Sequence, residues 1–135
     1  MGSGADDSDD LVARFSEGIN KFNEGEFFEC HDILEDIWFE IRGSTRNFYQ
    51  GLIHLAVGFY HITVRENSKG ALSQLNKGIQ KLKAYQPEFN GVELTRLLEN
   101  VDLCIAEIRK SGQTQFTFPD NIIPKIFFNP EKFMI

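Results

Sequence analysis

From Gly51 to Val64 the chain reads GLIHLAVGFYHITV, and at about 100° per residue apolar side chains surround that helix almost completely. A helix with so little polar surface belongs in the middle of a bundle, covered on most sides by its neighbours. The run is too short to cross a bilayer and contains His54 and His61. It predicts a buried central helix, opened by Ser44 as a cap and continuing to about Glu66.

The segments on either side carry the covering helices. After an acidic leader, Asp9 or Asp10 is placed to cap a first helix, in which Leu11, Phe15, Ile19 and Phe22 recur at helical spacing up to about Glu24. Gly25 breaks it, and a second helix runs from about Glu26 to Arg42, stopped at Gly43. Asn67-Ser68 makes a turn, and a fourth helix directs Ala71, Leu72, Leu75, Ile79 and Leu82 inward. Pro87 and Asn90-Gly91 interrupt the pattern, and a fifth helix follows from about Val92 to Lys110. Short polar turns place Cys30 and Ala71 at corresponding positions 41 residues apart, as in two helix hairpins stacked side by side. Beyond Gly112, phenylalanines and isoleucines are crowded among Pro119, Pro124 and Pro130, which forbid one long helix. The expected architecture is all-α: a compact bundle of about five helices from two stacked hairpins, with an irregular Phe- and Pro-rich tail packed on it. Residues 1–8 form a disordered leader, 9–112 the bundle, and 113–135 a tail wrapping it, with a dimer contact through the tail as the alternative.

Composition excludes several classes of function. The net charge of −6 arises from 20 acidic and 14 basic residues, with no arginine-rich run to meet a phosphate backbone. Nucleic acid is therefore not the expected partner, nor is a membrane. Cys30 and Cys104 lie on apolar helix faces without a CxxC companion and read as buried thiols. The leader MGSGADDSDD lacks the basic and apolar regions of a signal peptide, so the expected compartment is the cytoplasm.

His31 and Glu35 stand out on the second helix. Phe27, Cys30, Ile33, Leu34, Ile37, Trp38 and Ile41 gather on one side of it, and Glu29, Asp32, Asp36 and Glu40 on the other. His31 and Glu35 fall at the edge of the apolar arc, where an ionisable group is costly unless paired. On the third helix Gln50, His54, Val57, His61 and Arg65 share a stripe roughly 60° wide. All three histidines thus lie on two consecutive, antiparallel helices. If the stripe faces the second helix, His31, Glu35 and His54 converge, with His61 or Gln50 nearby. A His and a Glu at i and i+4 reach one ion, and a third ligand from a facing helix leaves a position open. Imidazole with carboxylate suits a divalent zinc, iron, nickel or manganese. Bound water at such a site supports hydrolysis, with Glu35 as ligand or general base. The simpler reading of the same pair is a polar contact that fixes helix geometry. Trp38 is core or the wall of the pocket, and Gly51 and Gly58 allow a second backbone to come close.

The stretch Phe22-Asn23-x-Gly25-x-Phe27-Phe28-x-x-His31-x-x-x-Glu35-x-x-Trp38, followed by Phe48-x-Gln50-Gly51-Leu52-Ile53-x-x-Ala56 and then His61, resembles the domain of unknown function 309 family of bacteria and archaea. The resemblance runs from about Phe15 to Leu82. It implies a helical bundle and a suspected metal-binding role for the motif, which His31, Glu35 and Trp38 match, with Gln50 and Gly51 in the second segment and Arg46 at a basic position before it. It implies no particular reaction. Two functions follow as expectations. One is a pocket of His31, Glu35 and His54, bordered by Trp38, Gln50, Gly51, His61 and Arg46, that binds a divalent metal or a small polar ligand. The other is a non-catalytic helix-hairpin module that binds a protein partner or a second copy, in which the His31–Glu35 pair is structural.

Overall fold

A computed structural model of the chain describes residues 4–111 and 118–134. Phe116 of the tail and the first three residues of the leader lie outside them. Five α-helices follow one another: α1 (Gly4–Asn23), α2 (Phe27–Glu40), α3 (Arg46–Thr63), α4 (Ser68–Leu82) and α5 (Thr95–Ser111). Each packs on the next, so α3 lies between α2 and α4. The all-α bundle read from the apolar spacing is the fold observed. Among the described residues no helix is long and apolar enough to cross a membrane.

Several helix ends differ from the sequence reading: α2 stops at Glu40 and α3 at Thr63, short of Arg42 and Glu66, and three starts differ as well. α1 begins at Gly4, so Asp9 and Asp10 lie more than a turn inside it and do not cap its start. Ser44 does not cap α3, whose cap position is Thr45 without a side-chain bond. Instead the Ser44 carbonyl accepts a bond of 2.6 Å from the Tyr85 hydroxyl. α5 starts at Thr95, because Asn90 and Gly91 both have positive φ, of 54° and 84°. That is the two-residue hairpin turn favoured by Asn-Gly, and it pairs β1 (Glu88–Phe89) with β2 (Val92–Glu93).

The tail adds to this hairpin. Phe128 bridges to Val92, the Glu93 amide donates to the Phe127 carbonyl at 3.1 Å, and the Asn129 amide to that of Gly91 at 2.8 Å. Asn23, at the end of α1, holds the tail from the other side: its amide nitrogen donates to the Ile126 carbonyl at 2.9 Å and its Oδ1 accepts from the Ile126 amide at 2.7 Å. Phe118, Ile126 and Phe133 are buried. Those three side chains are part of the core, while Phe127 and Met134 of the same segment stay exposed.

Glycines set the contact of α3 with α4. A β-carbon on Gly51 would come within 2.6 Å of Leu82, one on Gly58 within 2.6 Å of Leu75, and one on Gly78 within 2.6 Å of Leu55. The close approach expected at Gly51 and Gly58 is real, and the approaching helix is α4. Gly51 thus serves packing against α4. Cys30 and Cys104 are free and buried, and burial raises both thiols to about 12, which leaves them inert as nucleophiles at neutral pH.

Candidate functional site

The carboxyl-terminal half of α3 and the first turns of α2 enclose a groove of about 190 Å³ lined by Phe27, Phe28, His31, Val57, Tyr60 and His61. α2 supplies its rim because residues one turn apart, Phe27, Phe28 and His31, project to the same side. The Phe28 ring lies 5.9 Å from that of His31 and 5.7 Å from that of Tyr60. The walls are thus mainly aromatic, with two imidazoles among them.

His31 is held by its own helix. Its Nδ1 lies 3.3 Å from an Asp32 oxygen and its Nε2 3.4 Å from a Glu35 oxygen. These contacts orient the ring, but the Glu35 side chain is 41% exposed, so water screens the pair. His61, across the groove, has its Nδ1 buried without a hydrogen-bond partner among the described residues.

Trp38 and Arg46 meet at the other end of α2. The Arg46 guanidinium lies 4.0 Å over the Trp38 ring, while its Nε donates to the Ile41 carbonyl at 3.0 Å. The cation–π contact, of about 0.5–2 kcal/mol in general, ties α2 to the start of α3. Trp38 therefore braces the helix pair and does not line the groove. Gln50 is half-buried on α3.

His54 does not join His31 and Glu35. It turns toward α4, where its Nδ1 donates to the Gln74 side-chain oxygen at 2.7 Å. The physical reason is the position of α3 between two helices: a stripe roughly 60° wide reaches α2 with one member and α4 with another. Among the described residues no group of three or more His, Cys, Asp or Glu is placed to hold a metal. His31 and Glu35 alone give fewer than the three protein ligands that open zinc sites use, so the donor set does not fit the expected centre. Sequence reasoning missed Tyr60 and Gln74. Tyr60 lies two positions before Ile62 in an apolar run, and a hydroxyl-bearing aromatic there was a usable sign of a surface facing water.

Burial holds His54 below the ordinary imidazole value of 6.5; the Gln74 bond opposes this shift, and the nearby Lys81 and Lys77 add to it. With the folded value depressed, the unfolded chain takes up this proton first as pH falls. The contribution of His54 to stability is full above about pH 6.5 and is lost as pH drops below it. Denaturant melts across this interval should therefore slope downward toward acid, and His54→Gln should flatten them. An unchanged slope in the variant would assign the proton uptake to another group.

Comparison with known proteins bears on the helices that build this site. Residues 15–74 match the family model described as "Domain of unknown function (DUF309)". The chain is also 39% identical over 77 residues to "Uncharacterized protein YpuF" of Bacillus subtilis (strain 168), an alignment covering 55% of this chain and 44% of that protein. It thus spans less than half the length of that relative. The matched segment runs from Phe15 in the core of α1, through the His31–Glu35–Trp38 face of α2 and the whole of α3, to Gln74, the partner of His54. Over that segment, residues 15–74, the chain is similar to the DUF309 family.

Proposed function

We propose that this chain is a non-catalytic interaction module whose binding face is formed by α2 and α3, with the His31–Glu35 pair holding the shape of that face. The observation that carries the reading is Phe28. It is 52% exposed although it sits against Tyr60 and His31 at the rim of an aromatic groove. A large apolar side chain left in water beside a concave apolar surface marks a contact site. The His31–Glu35 pair next to it is too exposed to be a costly buried site, and its donor number does not fit a metal centre.

Two measurements test the reading together. Protein purified without chelator or nickel resin should contain no stoichiometric metal, and His31→Ala should unfold within about 1 kcal/mol of the parent, as for other exposed i,i+4 pairs. A photoreactive phenylalanine analogue in place of Phe28 should give a protein adduct in cells, and the same analogue at the exposed Leu103 of α5 should give none. Stoichiometric metal that disappears in His31→Ala would replace this reading with a metal site. Absence of any adduct at position 28 would overturn it.

A further inference from the structure

The charges on the two helices that flank α3 are sorted by sign. α2 carries Glu29, Asp32, Glu35, Asp36 and Glu40 and no Lys or Arg. α4 carries Lys69, Lys77 and Lys81 and no Asp or Glu. Between them runs the half-buried stripe of Gln50, His54, Val57 and His61 on α3. Val57 and His61 meet α2 in the groove, and His54 meets α4 through Gln74. The stripe is therefore the middle line of one three-helix face, acidic on one flank and basic on the other.

The two flanks are also in register. Lys81 packs its stem within 3.3 Å of a β-carbon built on Gly51, and Leu75 lies against Gly58, which puts Lys77 level with the middle of α3. On the other flank His31 stands level with Val57 and Tyr60. Glu35, one turn farther along the antiparallel α2, comes level with His54. The acidic and basic side chains thus occupy the same heights on either side of α3. A two-fold axis running along α3 would carry each α2 over the α4 of another copy without changing those heights.

We propose that the α2–α3–α4 face docks a second copy of this chain about such an axis, with Asp32 and Glu35 of one copy meeting Lys77 and Lys81 of the other. The proposal rests on the interaction reading above and names its partner. A two-fold contact is self-complementary by construction, and this face opposes unlike charges with itself. Among the described residues no ion pair engages Lys77 or Lys81 within the chain, and Asp32 and Glu35 pair only with His31. Its size is also adequate: a face about 27 Å long and about 25 Å across three helices offers on the order of 700 Å², near the ~800 Å² per partner of stable interfaces. The exposed Phe28 lies on its edge.

The test is sedimentation of the purified full chain over a range of concentrations, with a charge exchange between copies. The parent chain should reach twice its 15.5 kDa. The variant Lys77→Glu with Lys81→Glu, and separately Asp32→Lys with Glu35→Lys, should each dimerise at least about ten-fold more weakly, because like charges then face each other. Mixing the two variants should restore a dimer, since each acidic flank again meets a basic one. The mixture controls for folding, because a chain that had lost its fold would not be rescued. Three results would overturn the proposal: a parent chain that stays monomeric throughout, variants that dimerise like the parent, or a mixture that stays monomeric. If the parent is monomeric while the Phe28 adduct forms in cells at a mass other than twice the chain, the partner is a different protein. In that case the homodimer fails and the interaction reading stands.

Discussion

Replacing Phe15 by alanine should destabilise the protein by about 4 kcal/mol, within the range for a large aromatic removed from a core. The side chain is fully buried, and its ring lies 4.9 Å from that of Phe128, 5.3 Å from Phe133, 5.6 Å from Tyr49 and 6.2 Å from Phe48. It therefore joins α1 to α3 and to the tail at one point. The contacts with Phe128 and Tyr49 are edge-to-face, a geometry that adds about 0.5–1.5 kcal/mol per pair beyond buried area. Alanine leaves four rings without a common neighbour, and the stiff packing around them lets the space collapse only in part. Urea unfolding monitored by far-ultraviolet circular dichroism measures the loss. A change below about 1.5 kcal/mol would show that the tail collapses into the space, and the account of Phe15 as the common anchor would be wrong.

Gly58→Ala is expected to have the second largest effect, about 2 kcal/mol of lost stability, although it adds one methyl group and improves helix propensity. The propensity gain is about 1 kcal/mol, and overpacking a close helix contact costs up to about 3 kcal/mol. The added carbon would lie 2.6 Å from Leu75 Cδ2 and 3.2 Å from the Leu75 backbone nitrogen. The Leu75 side chain can turn away, but the backbone of α4 cannot do so without shifting the helix. The diagnostic measurement is therefore a double-mutant cycle with Leu75→Ala. The pair should be less destabilised than the sum of the two single changes, since the smaller side chain makes room. Additive losses would mean that the strain lies elsewhere along α3.

Much of the helical order was legible because burial imposes a period on the sequence. Phe15, Ile19 and Phe22 on α1, Cys30, Leu34 and Ile37 on α2, and Leu97, Leu98, Val101, Cys104, Ile105 and Ile108 on α5 are all buried, as their spacing required. The apolar run of α3 predicted its central place for the same reason. Helix ends were less legible. Ser44 has the side chain of a cap, yet the chain used its carbonyl for Tyr85 and began α3 two residues later. The Asn90-Gly91 turn was visible as an interruption, but its consequence, a hairpin joined by the tail, depends on pairing with residues far along the chain.

The candidate site divides in the same way. That His31 and Glu35 reach each other follows from four residues of helix and needs no tertiary information. Which neighbour His54 meets does not follow from its own helix. The angular position of His54 is nearly that of His61, and periodicity alone put both on one stripe. The glycines decided the outcome: Gly51, Gly58 and Gly78 let α4 press against one side of α3, so His54 found Gln74 while His61 remained in the groove with α2.

The number and order of the helices, the residues they bury and the local pairing of His31 with Glu35 were thus written into the order of the amino acids. All of these are set within one or two turns by the repeat of the backbone. That the polar stripe of α3 is the middle of an open face, with an acidic flank and a basic one, emerged only when the helices packed. The distances between helices depend on which small residues let two backbones approach, and that is a property of pairs of helices.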